Sequence, residues 1–129
     1  MIYVVIGAGA ALGANARFLI GLYIAQVVGT AFPYATMLIN ISGSLVIGFF
    51  ITLITERLEV DVLWRLFFVT GFLGGYTTFS TYSVEAVGLF RQGQFGPGLV
   101  YAIGSVAGGL LGVLLGSALA SWIGGIGVR

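Results

Sequence analysis

Between Arg17 and Glu56, and again between Arg91 and Arg129, the chain carries no charged residue at all. A soluble domain of 129 residues has too little core to hide runs of that length from water. A helix rising ~1.5 Å per residue needs roughly 20 apolar residues to cross about 30 Å of hydrocarbon. Four stretches qualify: about Ile2 to Val28, Tyr34 to Thr55, Val62 to Phe90 and Phe95 to Ile126. With 59% hydrophobic and 7% charged residues and a mean hydropathy of +1.13, the composition agrees. The reading is an all-α membrane protein, multi-pass in the bilayer, with four transmembrane helices in a single integral membrane domain over residues 1–129.

The joints are short, around Gly29 to Pro33, Glu56 to Asp61 and Arg91 to Gly98, so neighbouring helices are expected to run antiparallel. The first stretch imitates a signal peptide, with small residues at Ala14 and Ala16. It has no Lys or Arg before its apolar run, and it is expected to be retained. Four crossings place Arg57, Arg65 and Arg129 on one side and Arg91 on the other. That excess is small, so insertion in both orientations is open.

Absent residue types exclude several chemistries. Without Cys or His there is no thiol redox work, thiolate metal site or imidazole catalysis, and without His or Lys a serine nucleophile lacks its usual base. Glu56, Glu59 and Asp61 share one loop with Arg57 and read as a solvated turn. No catalytic residue, and no enzyme, is expected. Nothing suggests a nucleic-acid partner.

The polar equipment inside the apolar stretches is therefore the informative part. From Tyr76 to Ser83 seven of eight residues carry a hydroxyl, just after Gly71, Gly74 and Gly75. Polar groups at bilayer depth face a cavity, an ion path or a partner helix. The weak helix formers there predict a break near the middle of the third helix, where exposed carbonyls can meet a cation and amides an anion. Beyond it Phe79 and Tyr82 share a face, and their positively polarised ring edges suit either a small anion or ordinary core packing.

In the second helix Thr36, Asn40 and Ser44 recur every fourth residue on one face. Thr36 and Ser44 read as interhelical hydrogen bonders. Asn40 offers two donors and an acceptor, more than one packing contact satisfies, and reads as a pathway residue. The fourth helix repeats glycine at Gly104, Gly108, Gly112 and Gly116, the mark of close helix contact, with Tyr101 and Ser105 as a second polar pair. A similar row, Gly9, Gly13, Arg17 and Gly21, runs along the first helix. Arg17 and Glu85 lie nearest to hydrocarbon, where a charge costs about 3 kcal/mol at mid-span. Each is read as a salt-bridge partner or a vestibule charge.

Taken together, Gly74-Gly75-Tyr76-Thr77-Thr78-Phe79-Ser80-Thr81-Tyr82-Ser83-Val84-Glu85, the upstream Asn40-Ile41-Ser42-Gly43-Ser44 and the first-helix Gly13-Ala14-Asn15-Ala16-Arg17-Phe18 resemble the Fluc/CrcB family of fluoride channels. The resemblance covers essentially the whole chain. It implies a dual-topology, antiparallel homodimer with two fluoride pores, in the bacterial inner (plasma) membrane, giving passive export of cytoplasmic fluoride and so resistance to it. By position it makes Asn40, Phe79, Tyr82, Ser80, Thr81, Tyr101 and Ser105 pore residues, and Arg17 and Glu85 vestibule charges. The backbone carbonyls of Gly74 and Thr77 would hold a structural Na+ at the dimer centre. Tyr82 stands where the family usually has a second pore phenylalanine, and its hydroxyl either donates to fluoride or points away. Uncharged donors suit fluoride, because they replace its tightly held water without the fixed cation that would trap it. Two rivals are a proton-coupled small multidrug-type exporter, for which Glu85 is the only coupling group, and a purely structural assembly protein.

Overall fold

The computed structural model describes residues 1–56 and 59–126, and among them all regular structure is helical. Helix α1 spans Ile2–Val28 and α2 spans Tyr34–Glu56. The third stretch is made of pieces: α3 (Val62–Arg65), a π-helical segment (Leu66–Leu73), the single turn α4 (Gly74–Tyr76) and, after two extended residues, α5 (Phe79–Arg91). Helix α6 spans Phe95–Ile126. Arg57 and Arg129, on which part of the charge-bias reading rests, lie outside the described residues.

Local chemistry sets the ends. Gly29 adopts φ 82°, a conformation that favours glycine, and its N–H closes α1 on the Ala25 carbonyl at 3.0 Å. The Asp61 carboxylate caps α3, accepting from the Leu63 N–H at 2.7 Å. Gly93, at φ 74°, turns the chain from α5 into α6.

Among the described residues three helices are long and apolar enough to cross a membrane: Ile2–Val28, Tyr34–Thr55 and Phe95–Ile123. The third stretch has no continuous helix of that length, because it is interrupted at Thr77 and Thr78. Contacts give the directions. Along α2 and α6, Met37 meets Gly104, Ile41 meets Gly108 and Leu45 meets Gly116, so these helices run parallel. Helix α1 runs parallel to the third stretch, with Gly9 against Phe67 and Gly13 against Phe72 and Tyr76. Helices α5 and α6 are antiparallel, since Phe90 packs on Gly98 while Tyr82 reaches Ala102.

Small residues make these approaches possible. A Cβ on Gly9 or Gly13 would collide with the Phe67 or Phe72 carbonyl, and one on Gly48 or Gly116 with the Val113 or Leu45 carbonyl. The glycine row of the fourth helix therefore serves contact with α2, as its spacing predicts. The row in α1 divides: Gly9 and Gly13 are buried against the π-helical segment, while a Cβ on Gly21 would meet nothing. Large apolar side chains point outward in number, Leu110 and Leu114 among them, and Ala86, Leu89 and Tyr101 form a small buried cluster. That inversion fits a lipid surround.

Candidate functional site

The break between α4 and α5 organises the site. Thr77 and Thr78 take extended backbone angles, with ψ of 157° and 113°. The Thr78 hydroxyl accepts from the Thr81 N–H at 3.2 Å and so caps α5. Its backbone is claimed from α2: Asn40 Nδ2 donates to the Thr78 carbonyl at 2.9 Å, and Asn40 Oδ1 accepts from the Thr78 N–H at 2.8 Å. One amide thus satisfies both backbone groups of the residue that leaves the helix, as membrane depth requires.

A second consequence falls on two carbonyls. In an unbroken helix the Gly74 oxygen would accept from Thr78 and the Thr77 oxygen from Thr81. Those N–H groups are used instead by Asn40 and by the Thr78 hydroxyl. Both oxygens are therefore released from the helical ladder. Arg17 NH1 donates to the Thr77 oxygen at 3.3 Å, so α1 also holds the break. Arg17 forms no ion pair among the described residues.

Beside the break lies a cavity of about 470 Å³ whose lining carries no charged side chain. Asn40, Phe79, Tyr82 and Ser105 line it, together with Gly74 and Thr77. Phe79 is 77% exposed, so this wall is open on one side. The Phe79 and Tyr82 rings are neighbours, with centroids 5.5 Å apart and planes at 40°. The Tyr82 hydroxyl donates to the Ala102 carbonyl at 2.9 Å. It therefore points into α6, and the ring is what Tyr82 presents to the cavity.

The other residues singled out in the sequence lie around this centre. Tyr101 is fully buried, and its hydroxyl donates to Glu85 Oε2 at 2.6 Å, while Thr36 donates to Glu85 Oε1 at 2.9 Å. Both carboxylate oxygens are thereby occupied, and Thr36 makes the interhelical bond expected of it. Glu85 lines a separate cavity with the α1–α2 turn, Gln92 and Gln94. Thr81 and Arg17 line a smaller one with Thr36. Ser80 is exposed, its Oγ 3.4 Å from Thr78 Oγ1.

Thr78 is the residue that the sequence reading missed. Its signal was local: a threonine directly ahead of a helical run is a standard capping pattern. The π-helical segment carried no comparable signal.

The fold and site define a membrane protein with an interrupted helix whose freed backbone groups and uncharged donors border one cavity. Residues 4–117 match the family described as CrcB-like protein, Camphor Resistance (CrcB), and the chain belongs to that family. It is 50% identical over 120 residues to a protein of Chloroflexus aurantiacus named fluoride-specific ion channel FluC, covering 93% of this chain and 95% of the relative. Proteins of the same name from Rhizobium meliloti and Synechocystis are 44% and 46% identical, covering 88% and 87% of this chain and 91% and 86% of theirs.

Proposed function

We propose that this chain forms a fluoride-specific ion channel that lets cytoplasmic fluoride leave the cell passively. The observation that carries the reading is the uncharged cavity at the helix break. There, among the described residues, one Asn40 N–H and the Ser105 hydroxyl have no partner, beside the Phe79 and Tyr82 rings. Fluoride is small, strongly hydrated and a strong acceptor. Donors without a fixed cation replace its water and still release it. The names of the relatives support the same conclusion.

A cavity open along one wall needs a second wall, and we propose that a second copy supplies it. The arrangement is a homodimer of oppositely inserted subunits, each crossing the bacterial inner (plasma) membrane four times, with the broken stretch as the third crossing, and enclosing two pores. The Gly74 and Thr77 carbonyls are hard oxygen donors released from the helical ladder. They suit a structural sodium ion at the dimer centre, where the ion would fix the spacing of the two subunits. Hard cations take about six or more oxygens, which two carbonyls from each subunit and added water approach. Arg17 beside the Thr77 oxygen weakens that oxygen's hold on a cation, so Gly74 is the better donor of the two.

The proton-coupled exporter is disfavoured by Glu85, whose two oxygens both accept hydroxyl hydrogen bonds. Glu85→Gln is expected to keep fluoride flux within about tenfold of the parent, because one hydroxyl loses an acceptor worth roughly 1–2 kcal/mol. Liposome flux at several pH values should show no proton movement coupled to it. Coupled proton flux that Glu85→Gln abolishes would instead establish the exporter. Tyr82→Phe removes only the bond to Ala102, a net contribution of about 1 kcal/mol, and keeps the ring. Its fluoride flux is expected to stay within about threefold of the parent, measured by electrode.

A further inference from the structure

Most hydroxyls near the break are already spent. Tyr82 donates to the Ala102 carbonyl, Tyr101 and Thr36 to Glu85, Ser83 to the Phe79 carbonyl and Ser117 to the Gly48 carbonyl. Two serines on the cavity wall differ. Ser105 Oγ is buried with no hydrogen-bond partner among the described residues, its residue only 8% exposed. Ser44 makes no hydrogen bond among the described residues, contrary to the interhelical bond expected from its spacing, and it lines the same cavity. A helical serine without a partner ordinarily bonds back to the carbonyl four residues earlier. Neither of these does; Ser105 is buried, where an unpaired hydroxyl is unfavourable, and Ser44 is half-buried on the cavity wall.

The two lie within reach of one region. Ser44 follows Asn40 by four residues and so sits one turn along the same face of α2. Its Oγ is turned toward α6, since a Cβ on Gly109 would lie 3.4 Å from it. Ser105 precedes Gly109 by one turn of α6. The surrounding wall is apolar: Ile47, Leu73, Val106 and Val113. Two O–H donors in an apolar, uncharged surround fit a small monovalent anion with strong acceptor character.

We infer that Ser44 is a further ion-binding residue of this chain, forming with Ser105 a second anion position one helical turn from Asn40. The inference rests on the fluoride-channel reading and adds to it where the ion goes next. Permeation then proceeds by exchange between adjacent donor sets, which keeps each one weak enough to release the ion.

The test is fluoride efflux from liposomes across a range of fluoride concentrations, for the parent, S44A, S105A and the double variant. S44A keeps the Cβ that faces Gly112 and removes only the oxygen. We expect S44A to lower the rate roughly tenfold and raise the half-saturating fluoride concentration, and the double variant to be little worse than either single one. Parent-like rate and saturation in S44A would overturn the inference while leaving the channel reading intact, as would single effects that multiply in the double variant. A parent that releases no fluoride would overturn both. Should S44A give no folded protein, S44C keeps the shape with a weak thiol donor. A lowered rate in S44C supports the inference, and a parent-like one overturns it.

Discussion

Asn40→Leu is expected to lower fluoride flux by on the order of 100-fold or more. The change removes both bonds to the Thr78 backbone, at 2.9 and 2.8 Å, and leaves an N–H and a carbonyl unpaired away from water, at about 1–3 kcal/mol each. The chain has an obvious remedy. The Thr78 N–H can return to the Gly74 carbonyl, which lengthens α4 through the break and withdraws the freed oxygen. The cavity then loses the Asn40 donor and its geometry together. Asn40→Asp separates the two effects: it keeps an acceptor for the Thr78 N–H but sets a carboxylate against the Thr78 carbonyl. Its flux is also expected to fall, with the loss partly relieved at low pH, where the protonated acid regains a donor. Parent-like flux in Asn40→Leu protein of native elution and melting behaviour would show that the clasp is dispensable.

Gly13→Val should act on assembly of the fold rather than on the ion. Its Cβ would meet the Phe72 carbonyl, which is backbone in a packed segment and has no rotamer to yield. Overpacking of this kind costs about 1–3 kcal/mol or more, and a β-branched residue adds strain. A fall in the thermal midpoint and loss of the single symmetric elution peak in detergent are expected. Gly21→Ala, on the same helix with nothing within 4 Å of its Cβ, is expected to leave both unchanged. Equal effects at the two positions would mean that the contact between α1 and the π-helical segment does not set the packing.

That contrast shows what the sequence made legible. Hydropathy placed α1 at Ile2–Val28 and α6 at Phe95–Ile126, because apolar length is a local property, and a run of weak helix formers marked the third stretch as the one that breaks without fixing the residue at which it does. The four-residue glycine spacing in α6 identified a contact face for the same reason. Spacing alone gave Gly13 and Gly21 the same standing, since only the path of the third stretch decides which of them meets a backbone. Asn40 was marked by its surplus hydrogen-bonding capacity. Its use on Thr78 was hidden, because that partner is distant in sequence and becomes available only where the helix opens. The Tyr82 hydroxyl was ambiguous until the Ala102 carbonyl appeared beside it. Ser44 is the converse case, a residue whose pattern predicts a bond that the packing does not provide.

On the proposed function, fluoride permeates selectively through this uncharged cavity. Purified protein in liposomes, with a potassium ionophore added to carry the balancing charge and release read by a fluoride electrode, tests it most directly against chloride-loaded vesicles. Fast fluoride release with little chloride release is the predicted result. Equal release of both anions, or no fluoride release from protein shown to be folded, would contradict it.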